Sequence, residues 1–234
     1  MKQKKGFIYR IYSEKDIKKV EDKINLFGVS KKFNKEYFMN FRLFTTLLVF
    51  VVVFLFVDMG ALLSPILAVL WYKLVNYLML DRPLKKREEK LNSEAYYYFE
   101  VLTLGLESGR NLENAIKMAC KYIDSEISDE FKETIKQVNF GKSMTEALSL
   151  MGYRIPSIII NNIILNMEQS NLFGNSIIDT MHNQLDFLKE KQVMDIKEKI
   201  NKIPNKISLF SVIFFIPLIL LIVLGPVLVE FLFG

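Results

Sequence analysis

Few side chains in this sequence have the types and spacing that enzymatic chemistry requires. The Gly-Lys-Ser triplet at residues 141–143 matches the end of a phosphate-binding loop, but such a loop needs a glycine where the chain has Lys136. It also needs a strand before it, where the residue pattern indicates a helix. We therefore interpret the triplet as a helix cap.

The other reactive side chains are isolated from one another. His182 is the only histidine, and no nucleophile with a paired base and no two-histidine metal site can be assembled around it. Cys120 is the only cysteine, which excludes an internal disulfide and favours a buried position on a helix. We expect no catalytic residue, no metal and no cofactor, and we predict that the protein is not an enzyme.

The elements that carry these residues separate into lipid-compatible and water-compatible blocks. Residues 43–57 and 208–229 contain no Asp, Glu, Lys or Arg, whereas residues 81–206 carry a charge every few positions. The second apolar block is 22 residues long. A helix of that length measures about 33 Å, more than the roughly 30 Å of a hydrocarbon core. We predict that it spans a membrane.

Two apolar runs separated by an Asp-Met-Gly turn at residues 58–60 predict a membrane hairpin over residues 43–80. Lys73 lies near the end of the second run, where its long side chain can reach the headgroups. Residues 1–42 carry twelve Lys and Arg, the turn carries none, and residues 82–90 carry five. The positive-inside rule then predicts a multi-pass protein of the cell membrane with three spans, a cytoplasmic N-terminus, residues 81–206 cytoplasmic and the C-terminus outside.

The basic N-terminal segment contains a helix pattern but no early apolar core and no cleavage site, so we expect no cleavable signal. Its apolar residues recur at helical spacing between cap residues and a glycine stop: Ile17, Val20, Ile24 and Phe27, with Ser13 and Asp16 before them and Gly28 after them. Two interpretations stay open. The segment is either a solvated tail that obeys the topology rule or a short amphipathic helix on the anionic inner face of the membrane.

A repeated octet divides residues 81–206. Its copies begin at Gly109, Gly141 and Gly174, with spacings of 32 and then 33 residues. Glycine tolerates the left-handed conformation that ends a helix, and the Asn or Ser two positions later can cap the amides that begin the next one. The predicted caps are Asn111, Ser143 with Glu146 as a capping box, and Ser176.

Apolar residues recur at helical spacing on both sides of these turns, and no segment alternates as a strand would. We therefore expect an all-α membrane protein with about three transmembrane helices and a cytoplasmic bundle of antiparallel helices. Tetratricopeptide arrays have a similar period, but their Trp, Tyr and Pro landmarks are missing. The predicted domains are residues 1–42, 43–80, 81–206 and 207–234.

Two further groups of side chains have more than one interpretation. The aromatic run at residues 96–99 (Tyr-Tyr-Tyr-Phe) indicates either core packing or an interfacial belt. The charges over residues 126–136 indicate a solvated face, or a docking face for a partner. Pro217 and the Gly225-Pro226 pair weaken the backbone ladder of the last span and are predicted bend points.

In order and spacing these features resemble the type II secretion system F domain family, and within it the TadB and TadC platform proteins of tight-adherence pili. The resemblance covers residues 92–234 and, more loosely, the hairpin. It is carried by Leu104 to Gly109, by the Gly-Lys-Ser triplet with Glu146 to Leu148, by Gln169-Ser170 before Gly174, and by the tail motifs Phe215 to Pro217 and Leu224 to Pro226. One departure is Asn171, where family members often carry an acidic residue; Glu168 lies one turn earlier.

The resemblance implies a non-enzymatic platform protein beneath a growing filament. Its implied partners are a hexameric cytoplasmic ATPase, pilin subunits, membrane lipid, and a second platform protein or further copies of itself. Nucleic acid is not an expected partner, because topology already explains the basic charge. A membrane-tethered adaptor is the alternative, followed by a small transporter or membrane enzyme built on Lys73 and Asp58.

Overall fold

The computed structural model describes residue 12 and residues 14–29, 34–56, 60–173 and 177–233, and within these ranges the regular structure is helical, with no strand. The all-α prediction is confirmed. The helices are α1 (Glu14–Asn25), α2 (Lys35–Phe56), α3 (Gly60–Asn76), α4 (Arg82–Glu107), α5 (Leu112–Tyr122), α6 (Glu126–Asn139), α7 (Met144–Gly152), α8 (Ile158–Phe173) and α9 (Ile177–Phe233), with a π-helical turn at Tyr77–Asp81.

Two stretches of described helix are long and apolar enough to cross a membrane. One is α2, and the other is the continuous helix Gly60–Glu107 that begins with α3. The two pack against each other and leave large apolar side chains exposed on their outer surfaces, as lipid-facing helices do. In α9 the described apolar stretch, Phe210–Leu224, is shorter. The third span therefore stays a prediction.

The second apolar helix continues into the helical bundle without a break. The predicted boundary at residue 81 falls inside the π-helical turn, where the Arg82 amide donates to the Tyr77 carbonyl. Pro83 follows directly and has no amide proton for the ladder, which explains the local change of hydrogen-bond register. Residues before and after the predicted boundary thus belong to one helical rod.

The N-terminal helix packs on the base of the hairpin. Ile17 and Val20 of α1 are buried, and Gly28 ends the segment with a φ of +72°. The core cluster that they join includes Phe38 and Met39 from α2, Val75 from α3, Leu80 from the π-helical turn and Leu84 from α4. The amphipathic helix is present as α1. Its apolar face packs against other parts of the protein, whereas the two interpretations from sequence placed this segment in water or on the membrane surface. The predicted cap Ser13 lies outside the described residues.

Helices α4 to α8 form the bundle by packing largely against their neighbours in sequence. Its centre is aromatic: the Tyr98 and Phe131 rings stack with centroids 4.7 Å apart, and Phe99 meets Phe131 edge-on at 6.1 Å. Tyr98, Phe99 and Phe131 are fully buried, whereas Tyr97 is 59% exposed. For residues 98 and 99 the core-packing interpretation is therefore correct.

The chain divides into two compact units, residues 1–185 and residues 186–234. The first contains the hairpin and the bundle. The second is the remainder of α9, which carries an ion pair between Lys191 and Asp195 (3.1 Å) before its apolar stretch. The helix is assigned continuously through Pro217, Gly225 and Pro226.

Candidate functional site at the junction of spans and bundle

The first two octets form turns between helices of the bundle. Gly109 and Gly141 have φ values of +82° and +97°, in the left-handed region that glycine occupies without strain. The Asn111 side chain accepts from the Asn114 amide at 2.9 Å and caps α5. The capping side chain hydrogen-bonds to a backbone amide, so this part of the octet is structural.

The second turn differs in detail from a full capping box. Ser143 Oγ accepts from the Glu146 amide at 3.1 Å and caps α7. The Glu146 carboxylate, however, lies 3.3 Å from Lys142 Nζ, with which it forms an ion pair. Lys142 therefore contacts its own turn, as expected of a cap rather than a phosphate loop. The third octet's Gly174 and Ser176 lie outside the described residues.

A buried charge cluster connects the bundle to the N-terminal segment. It consists of Arg87 from α4, Glu126 and Glu130 from α6, and Arg154 from the turn after α7. It contains two positive and two negative side chains, and the exposed Lys90 also pairs with Glu126 at 3.4 Å. The Glu130 side chain is 2% exposed and that of Arg87 is 6% exposed. Charges at this depth need such pairing, because removal from water costs several kcal/mol per ion, about as much as a small domain's stability.

Glu130 is the acceptor at the centre of the cluster. Its Oε1 accepts from Arg87 Nη2 at 2.8 Å and from the Val29 amide at 2.9 Å. Its Oε2 accepts from Arg154 Nε at 2.8 Å. One carboxylate thus joins three segments that are distant in sequence.

Arg87 completes the connection with donors on all three guanidinium nitrogens. Its Nε donates to Glu126 at 2.6 Å, and its Nη1 donates to the backbone carbonyls of Leu26 and Arg154. The approach at Gly28 is close: a Cβ there would lie 2.1 Å from Glu130 Oε1 and 2.2 Å from Arg87 Nη2. A side chain at residue 28 would fit only if the buried Glu130 and Arg87 side chains moved away.

The solvated-face interpretation of residues 126–136 is wrong for Glu130. This residue lies on the same face of α6 as the buried Ile127, Phe131 and Thr134, whereas Lys132 and Lys136 on the other side are exposed. The signal was present in the sequence as a glutamate at a core-facing position. A carboxylate there requires a buried cation, and its partners come from helices far along the chain.

A known protein family matches more than half of this sequence. The sequence matches the family described as Type II secretion system (T2SS), protein F, over residues 98–225, which is more than half of the chain. The chain belongs to the type II secretion system protein F family. No curated protein and no solved structure matches it significantly. F-family proteins are non-enzymatic platform proteins of the inner membrane that work with secretion ATPases and pilins.

The family match divides the buried charge cluster between the F domain and the segments that precede it. Glu126, Glu130 and Arg154 lie within the matched residues, whereas Arg87 and residues 26–29 lie before them. The cluster therefore fastens the F domain of this chain to segments outside it, which in turn pack on the hairpin.

A second polar cluster lies at the base of the hairpin. The Arg42 guanidinium carbon lies 4.2 Å from the centroid of the Tyr72 ring and 5.3 Å from that of the Phe38 ring. Its Nη1 donates to Asn76 Oδ1 at 3.3 Å. Lys73, which sequence reasoning singled out as a costly charge, is exposed beside this cluster.

Three further candidate residues of this F-family protein are Cys120, Glu168 and His182. Cys120 is half-buried rather than buried; burial raises the pKa of its thiol, whose Sγ lies 3.4 Å from the Tyr98 hydroxyl. Burial also raises the pKa of Glu168. His182 Nε2 lies 2.7 Å from a Glu107 carboxylate oxygen in a half-exposed pair. Within the described ranges, no group of three His, Cys, Asp or Glu residues could hold a metal ion.

Proposed function

We propose that this chain is a multi-pass platform protein of the TadB/TadC type in a tight-adherence pilus system. Its N-terminus and residues 81–206 lie in the cytoplasm, and its C-terminus lies outside. The helical domain contacts a hexameric assembly ATPase, and the spans act on pilin subunits, together with a second platform protein or further copies of this chain. Hydrolysis of ATP belongs to the separate ATPase.

Family membership and charge distribution support this assignment. The F family works with secretion ATPases and pilins in general. The cations of residues 1–42 and 82–90 flank the hairpin on one side, and its turn carries none, which favours a cytoplasmic bundle.

The observation that carries the proposal is the double connection between bundle and hairpin. The first connection is the unbroken helix from Gly60 to Glu107. The second is the buried charge cluster, which holds residues 26–29 against α6 while α1 packs on the hairpin base. A force on the bundle therefore reaches α3 along its own axis and reaches α2 through α1. A membrane anchor alone needs one connection, whereas two connections transmit both displacement and rotation.

One substitution separates force transmission between the bundle and the hairpin from binding of the ATPase. Gly28→Ala places a Cβ in the buried charge cluster and is expected to detach residues 26–29 without altering the outer surface of the bundle. In cells lacking the native chain, we expect this variant to crosslink to the filament ATPase at the wild-type level but to assemble few or no filaments. Gly109→Ala, where a Cβ meets nothing within 4 Å, is the matched control and should support assembly.

Two results would contradict the proposal at different levels. If wild-type protein shows no crosslink to the ATPase and its deletion leaves filaments intact, the platform role is wrong. If Gly28→Ala is present at normal levels and assembles filaments normally, the platform role stands but the second connection does not transmit force.

A further inference from the structure

The second polar cluster opens onto a cavity of about 480 Å³ between α1 and the ends of α2 and α3. Lys23 and Asp81 in its lining form an ion pair at 2.5 Å and neutralise each other. That leaves three cations and two carboxylates, an excess of one positive charge. The remaining charged lining residues are Lys19, Arg42 and Lys73 with Asp16 and Asp22.

Arg42 is the lining residue with an unmet hydrogen-bonding requirement. The residue is 3% exposed, and its Nε has no hydrogen-bond partner among the described residues. An unpaired buried donor costs about 1–3 kcal/mol, and more when the group is charged. An anionic oxygen in this cavity would satisfy it through a charge-assisted hydrogen bond.

An apolar groove of about 260 Å³ adjoins the charged cavity along the hairpin. Its apolar lining comes from both helices of the hairpin and includes Leu43, Leu47, Phe50 and Ala68. Tyr72 lines both the cavity and the groove, so the two spaces are adjacent at this residue. The groove extends along the lipid-facing part of the hairpin and the cavity lies at its charged end. This polarity is that of a phospholipid with its headgroup at the end of a span.

We propose that the cavity and the groove together bind one phospholipid that carries a single negative charge. The phosphate diester lies against Arg42 and Lys73, and one acyl chain lies in the groove. Its charge compensates the excess positive charge of the lining, whereas a choline lipid would bring an additional cation. Because α1, α2 and α3 all line the cavity, the bound lipid fastens the N-terminal helix to the hairpin. This inference goes beyond the platform role and does not depend on the ATPase.

The test uses the purified full-length chain in detergent with three probes: phosphatidylglycerol, phosphatidylcholine with the same acyl chains, and soluble glycerol 3-phosphate. We expect phosphatidylglycerol to remain bound at one lipid per chain in native mass spectrometry and to raise the melting temperature, with weak or no effect from the other two probes. Equal effects of the two lipids would overturn the headgroup assignment. An equal effect of glycerol 3-phosphate would overturn the lipid and leave a phosphate site.

Variants separate a built site from general surface charge. Lys73→Gln should weaken phosphatidylglycerol binding about tenfold, the loss of one charge-assisted contact, and Lys73→Arg should restore it. Lys85→Gln removes another exposed lysine, one outside the cavity, and should change nothing. If it weakens binding as much as Lys73→Gln, the site is wrong. Leu47→Trp, which fills the groove and spares every charged group, should also weaken lipid binding; unchanged binding would overturn the acyl-chain position.

Discussion

The Glu130 carboxylate accepts hydrogen bonds from Arg87, Arg154 and the Val29 amide, and none of these groups is near it in sequence. Its side chain is 2% exposed. Replacing a buried ion pair entirely by apolar residues is often tolerated, but removing one partner leaves the others charged and unpaired. The stability of this junction therefore depends on a few individual hydrogen bonds and ion pairs of one carboxylate.

Glu130→Gln is expected to destabilise the protein by about 3 kcal/mol, because two arginines would then face one carboxylate. For a chain of this size that corresponds to a fall in melting temperature of about 6–12 °C. Thermal unfolding of the purified chain in detergent measures it. Glu133→Gln on the same helix is the control, since its carboxylate pairs only loosely with Lys136 at 3.7 Å. Equal melting temperatures for the two variants would mean that the buried charge cluster contributes little stability.

At the scale of elements, α1 and residues 26–29 form a strap between hairpin and bundle. One end is apolar, with Ile17 and Val20 in the hairpin-base cluster, and the other is polar, with the Leu26 carbonyl and the Val29 amide on the buried charge cluster. At Gly28 the backbone passes so near the cluster that a Cβ would lie 2.1 Å from Glu130 Oε1. Glycine is needed at Gly109 and Gly141 for conformation alone, but at Gly28 for both conformation and space.

Hydrogen exchange distinguishes these two requirements. In Gly28→Ala the Glu130 and Arg87 side chains must move away from the new Cβ, so the Val29 amide loses its acceptor and should exchange faster, by tenfold or more for a net loss of about 1.5 kcal/mol. Gly109→Ala carries a similar left-handed strain of about 1–2 kcal/mol but should leave exchange over residues 26–29 unchanged. Unaltered protection of Val29 in Gly28→Ala would show that the cluster accommodates the methyl group.

At the scale of the whole molecule, residues 1–185 form a unit in which hairpin, strap and bundle are connected, and residues 186–234 form a separate helical unit. The first unit has two routes from bundle to membrane. The second consists of the remainder of α9, in which Pro217, Gly225 and Pro226 interrupt an otherwise apolar sequence. Proline cannot donate to the helical ladder, so bending of this helix is easiest there.

Replacing these residues together (Pro217→Leu, Gly225→Ala, Pro226→Leu) should stiffen the last helix and reduce filament assembly while the protein level stays constant. Counting filaments by electron microscopy in complemented deletion cells measures the effect. Leu220→Ala in the same apolar stretch is the control and should assemble normally. Undiminished assembly by the triple variant would refute the bend.

Periodicity was sufficient to predict the all-α class and two apolar helices, and the predicted glycine turns coincide with helix ends at Gly109 and Gly141. These features depend on interactions within a few residues: an amide and a cap side chain, a glycine and its own φ, and a run of side chains that excludes water. The same local reasoning placed a helix between the start cap at Ser13 and Asp16 and the stop at Gly28, although it could not say what the helix contacts.

Only the tertiary structure decided where the charges of α6 lie and what the N-terminal helix covers. Glu130 has the same side chain as Glu133, and only its position on α6 relative to Arg87 and Arg154 makes it buried and paired. The cavity at Arg42 likewise forms from three helices and has no signature in any one of them. Local sequence determines hydrogen bonds within a turn, whereas burial and long-range charge pairing depend on packing between segments that the sequence keeps apart.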